Sequence, residues 1–302
     1  KNLKEYIKES ILGNWTDVNA DIIAKDATKK DIEQFIDDNY PTIRYEIREE
    51  NDEYIVKVLN RGIVSLKNYK GKTLTNGLFK FDDLYVLNLC DCPNLTSLEG
   101  APERINHLHI QNCPGIESLE SCPPSVDSAD LVDLNIDCLD GLPKYMDRCY
   151  IGSCPYLKSL NGAPKEIGDF TIYDLQIDSL EGAPEKAGGN FICSGCNKLK
   201  SLEGAPKKVR DRFDCSKCDS LITLEGSPKK VGLFNCSHCK SWIYLKGSPE
   251  NVRYGFDCSG CNKLKSLEGA PKSCSTFICK NRKRFTEDDI KNVGVVSRKI
   301  II

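Results

Sequence analysis

The sequence predicts a β-rich solenoid, and three observations carry that prediction. A phrase of the form Ser-Leu-Glu-Gly-Ala-Pro recurs nine times, its prolines falling at Pro102, Pro123, Pro143, Pro164, Pro184, Pro206, Pro228, Pro249 and Pro271, 20–22 residues apart. Between the phrases, apolar residues recur at fixed places: Leu84, Leu87, Leu89, Cys92, Leu95 and Leu98, then Ile105, Leu108, Ile110, Cys113, Ile116 and Leu119. The middle of that pattern alternates with period two, which is a short strand with one face inward. Lastly, the Gly-x-Pro segment suits an unpaired return stretch, because proline fixes φ and donates nothing to a ladder. Repetition at this period means stacked identical coils.

The N-terminal 60 residues differ from the rest. Leu3, Tyr6, Ile7 and Ile11 share a helical face that ends near Gly13. Thr28 followed by Asp31 starts a second helix carrying Ile32, Phe35 and Ile36. Residues 42–48 and 53–59 alternate around a polar turn and read as a hairpin, and 63–68 with 76–82 as a second strand pair. A solenoid exposes an apolar cross-section at each end, so residues 1–60 are expected to be an N-terminal cap or a small docking domain. Residues 61–281 form the solenoid. Residues 282–302 read as a helix started by Thr286 and then an apolar strand, a small C-terminal cap.

The repeat phrases and the L-x-x-L-x-L-x-x-C spacing resemble the leucine-rich-repeat family, over about residues 84–281. The period of 20–22 residues is most similar to the short repeats of bacterial secreted effectors, and the recurring Phe-x-Cys-Ser-x-Cys to repeat proteins of large bacteriophages. The resemblance implies a leucine-rich-repeat horseshoe, with a parallel sheet on the concave side and extended backbone on the convex side. Some effectors of that kind are ubiquitin ligases through a large C-terminal domain. Only about 20 residues follow the last repeat here, so that activity is not expected.

The cysteine count, 17, could mean disulfides or zinc. Cys193/Cys196, Cys215/Cys218, Cys236/Cys239 and Cys258/Cys261 are spaced as zinc ligands are. Register argues otherwise. Cys193, Cys215, Cys236 and Cys258 align with Leu89, Ile110 and Ile151. Their partners align with Cys92, Cys113 and Cys154, the turn position that often holds Asn in the family. They read as small buried hydrophobes, no cofactor is expected, and unpaired thiols point to a cytoplasmic, reducing compartment, the host cytosol included.

Composition is that of an ordinary globular chain, 40% hydrophobic and 28% charged, and the net charge of -2 supplies no field for nucleic acid. No stretch reaches the roughly 18 apolar residues of a membrane span. The opening residues carry charge where a signal peptide has its apolar stretch, although the missing initial Met leaves room for a removed leader.

Function is therefore sought on the concave face. Residues between the inward ones give His107, His109, Ser128, Asp130, Arg148, Tyr150, Asp169, Thr171 and Tyr173 as the chemically richest group, with Tyr and Arg the types that carry contact energy. The reading is a non-enzymatic, monomeric module binding a protein partner. One rival is a structural component of a phage or cell surface, which light scattering would reveal as a defined oligomer. Another is a metal or hydrolytic site around His107 and His109, which an open sheet disfavours because nothing excludes water.

Overall fold

The computed structural model describes residues 27–302 other than Asp52, Asn60, Arg282 and Lys283, so the expected helix over Leu3–Ile11 lies outside the described residues. Helix α1 (Lys29–Asn39) begins at Thr28, whose hydroxyl accepts from the Asp31 N–H while the Asp31 carboxylate accepts from the Thr28 N–H. That reciprocal cap fixes the start, and Ile32, Phe35 and Ile36 form its buried face. Strands β1 (Tyr45–Glu50) and β2 (Glu53–Val58) make the expected antiparallel hairpin.

The strands expected over 63–68 and 76–82 do not pair with each other. Strand β3 (Ile63–Lys67) pairs in parallel with β5 (Leu84–Cys90), while β4 (Lys80–Phe81) pairs with β2. The reason is packing. Val64 and Leu66 lie level with Leu87 and Leu89, so joining the parallel stack buries both, and both are at most 5% exposed.

From β3 onward the chain is a parallel β-solenoid of about twelve turns with roughly 21-residue spacing. Its strands are β6 (Arg104–Gln111), β7 (Ser125–Val132), β8 (Tyr145–Gly152), β9 (Glu166–Tyr173), β10 (Lys186–Ala187) and β11 (Phe191–Ile192). They continue through β12 (Lys208–Val209), β13 (Arg212–Asp214), β14 (Lys230–Asn235), β15 (Asn251–Asp257) and β16 (Ser273–Ile278). A short helix α2 (Glu287–Asn292), capped by Thr286, leads to β17 (Val296–Ile301), which pairs in parallel with β16.

Columns of identical position hold the stack together. One runs Leu87, Leu108, Ala129, Cys149 and then six phenylalanines, Phe170 to Phe277, whose ring centres are 5.3–5.7 Å apart and nearly parallel. All eight cysteines of the four C-x-x-C pairs are fully buried, and all 17 in the chain are free thiols. The second thiol of a pair donates to the previous coil: Cys218 Sγ to the Cys193 carbonyl at 3.2 Å, Cys239 to Cys215 at 3.3 Å, Cys261 to Cys236 at 3.3 Å. At the last coil the Asn281 amide does the same for the Cys258 carbonyl. These carbonyls lie where the strand ends, and a buried carbonyl needs a donor.

The repeat glycine has a double reason. Gly100, Gly141, Gly162, Gly182, Gly204, Gly226, Gly247 and Gly269 all sit at φ between 83° and 103°. At all but Gly100, a Cβ would also overlap backbone of the preceding coil; at Gly100 it would meet the buried Thr75 side chain.

Candidate functional site

The sheet face that points away from the core is read through strand register. One column runs His107, Ser128, Arg148 and Asp169, and beside it His109, Asp130, Tyr150 and Thr171. Tyr173 is level with Gly152 on the same face. The nine residues singled out from sequence thus lie on four consecutive strands, β6 to β9.

Side chains within the group are linked across strands. His107 Nδ1 and Ser128 Oγ share a hydrogen bond at 2.8 Å, and the Asn106 carbonyl lies 3.2 Å from the same Ser128 oxygen. The same imidazole turns Nε2 to Asp130 Oδ2 at 3.4 Å, and His109 Nδ1 stands 3.8 Å from that oxygen. The constellation joins Ser, His and Asp across two strands of an outward sheet face, with the His107 and Asp130 side chains 29% and 28% exposed. Among the described residues, no three His, Cys, Asp or Glu side chains are gathered as metal ligands are.

The other members divide by how free they are. Asp169 Oδ1 is engaged by the Asn190 N–H at 2.7 Å and its amide at 2.9 Å. Arg148 is exposed and forms no ion pair among the described residues. Tyr150 lies over Gly152, where a Cβ would come 3.1 Å from its hydroxyl; burial, then Tyr173 and Asp130, raise its pKa. Tyr173 is 48% exposed and lies against Gly195, so glycines provide the room for both rings. The face offers an unpaired guanidinium, two imidazoles and two phenols, a composition suited to contact with another macromolecule.

Further along, the face is consumed by the fold. Asp214 is 4% exposed and accepts from Ser216 N–H at 2.9 Å, from the Asn235 amide at 2.9 Å and from Arg212. Asn235 and Asp257 likewise accept from Ser237 N–H and Ser259 N–H, at 3.1 and 2.8 Å. The signal was present in the sequence: a recurring Asp/Asn-Cys-Ser triplet is the mark of a side chain closing a turn on the residue two ahead.

No family model, curated protein or solved structure matches the chain. No helix among the described residues is long and apolar enough to cross a membrane.

Proposed function

We propose that the chain is a non-enzymatic protein-binding module, and that the outward face of β6–β9 is where its partner sits. What supports the reading is the contrast along one face. Between Arg148 and Tyr173, the Arg148, Tyr150, Thr171 and Tyr173 side chains make no hydrogen bond or ion pair among the described residues, whereas beyond Arg212 the polar groups already close the fold's own turns. The stacked strands hold these side chains still, so a partner loses little entropy in ordering them. In this reading the repeats are of the leucine-rich type, of bacterial or phage origin, with the face as a concave surface. The Asn281 amide serving as the turn thiols do supports that kinship. The helix–hairpin region and the α2–β17 segment act as caps, the module is a monomer, and its thiols suit a reducing compartment.

Affinity capture from the source cell, with Tyr150→Ala and His109→Ala as paired variants, tests this. Loss of at least about tenfold in capture for either variant is expected, as for a central contact residue. Unchanged capture by both removes the proposed face.

A further inference from the structure

Strand β17 ends the stack, and among the described residues no strand pairs with its outer edge. Its inner edge is bonded to β16 and the loop before it: Val296 N–H donates to the Lys272 carbonyl at 3.0 Å, and Cys279 N–H to the Ile301 carbonyl at 2.8 Å. Backbone groups alternate sides along a strand, so those not facing β16 point outward, and an open edge is a template for another extended segment.

Beside this edge lies a recess of about 460 Å³, crossing the beginnings of β14 to β17. Val231, Val252 and Cys274 give it an apolar floor, and Lys230, Arg253 and Arg298 line it with positive charge. No carboxylate lines it, and none of the three cations forms an ion pair among the described residues. The Arg253 guanidinium lies over the Tyr254 ring instead, 5.1 Å from its centre. Ser297 Oγ, also on the wall, is buried without a hydrogen-bond partner among the described residues. Val296 at the lip is 72% exposed.

We propose that the open edge of β17 binds an extended acidic peptide by strand addition, its backbone pairing with Val296–Ile301 and its carboxylates meeting Arg298 at the near end of this recess. Charge selects the occupant. A second copy paired antiparallel about the middle of β17 sets Arg298 opposite Lys299 of its neighbour, and like charges directly opposite destabilise a ladder. A strand alternating acidic and apolar residues reverses that sign, with its acidic face set against Arg298. This surface is separate from the face of β6–β9 and does not depend on it.

The test is a fluorescence anisotropy titration of the full chain with a labelled hexapeptide alternating Glu and Val. Binding should be saturable and should weaken on the order of tenfold in Arg298→Glu, an exposed position where charge reversal leaves the core alone. Methylating alternate peptide nitrogens removes the ladder donors without changing charge, and should abolish binding. Tyr150→Ala should leave it unchanged. Equal binding of a Lys/Val peptide, or of the methylated one, overturns the proposal. So does sedimentation showing a dimer held through β17.

Discussion

Replacing Phe213 by alanine tests the stacked core most directly. Its side chain is fully buried, with ring centres of Phe191 and Phe234 each 5.3 Å away and planes tilted by 23° and 10°. Deleting a buried phenylalanine costs about 3–5 kcal/mol, transfer and cavity together. The hole cannot close easily, because the rings on both sides are themselves held by their neighbours and by in-register backbone. The loss should therefore lie at the upper end, about 4–5 kcal/mol. Phe170 has an aromatic neighbour on one side only, so Phe170→Ala should cost about 0.5–1.5 kcal/mol less, the worth of one ring pair. Urea unfolding followed by circular dichroism and by hydrogen exchange of β11, β13 and β14 measures both, since damage in a stacked-coil protein is felt first by adjacent coils. A double-mutant cycle adds a check: Phe213 with Phe234 should couple, while Phe170 with Phe234, three coils apart with no ring in common, should be nearly additive. A cost below about 2 kcal/mol for Phe213→Ala, well under the range for a packed ring, would refute the continuous column.

Two further outcomes follow from the coil geometry and the thiols. Gly141→Ala should destabilise by about 2–4 kcal/mol, since φ is 103° and the new methyl would overlap the Leu119 carbonyl; a shift in urea midpoint smaller than that of an exposed-loop alanine control would show the coils can part. Alkali should unfold the protein, because burial holds Cys215 and Cys236 well above the usual thiol value of 9.0, pushes Cys196 and Cys261 up to about 12 and Cys154 to about 11. Above pH 9 the unfolded chain releases these protons while the folded one keeps them, so stability falls by about 1.4 kcal/mol per pH unit per thiol until the folded thiols ionise. Urea midpoints under reductant at pH 8, 9.5 and 10.5 should decline in that order, and a flat series would mean the thiols meet water.

The cysteines show how a motif can mislead when taken out of register. C-x-x-C states that two thiols are close along the chain, and both zinc ribbons and this core satisfy it. What separates them is the spacing of 21–22 residues between pairs, which places each thiol above its counterpart in the next coil. The thiols then form two columns, one filling the interior and one donating to the strand-end carbonyls of the coil before.

The amino-acid sequence by itself determined the coil period, the core columns and the face shared by His107 through Tyr173. Those follow from alternation within a strand and from a repeat length, both of which are local and additive along the chain. The caps at Thr28 and Thr286 were legible for the same reason, since each involves residues three apart. Only the tertiary structure decided which strand pairs with Ile63–Lys67, because alternation marks an inward face without naming a neighbour. It also decided that Asp214 is buried by Arg212 and Asn235 while Arg148 remains free, although both occupy the outward face. Such differences depend on which side chains a full coil away reach across the 4.8 Å or so between strands, a distance that exists only once the coils have stacked.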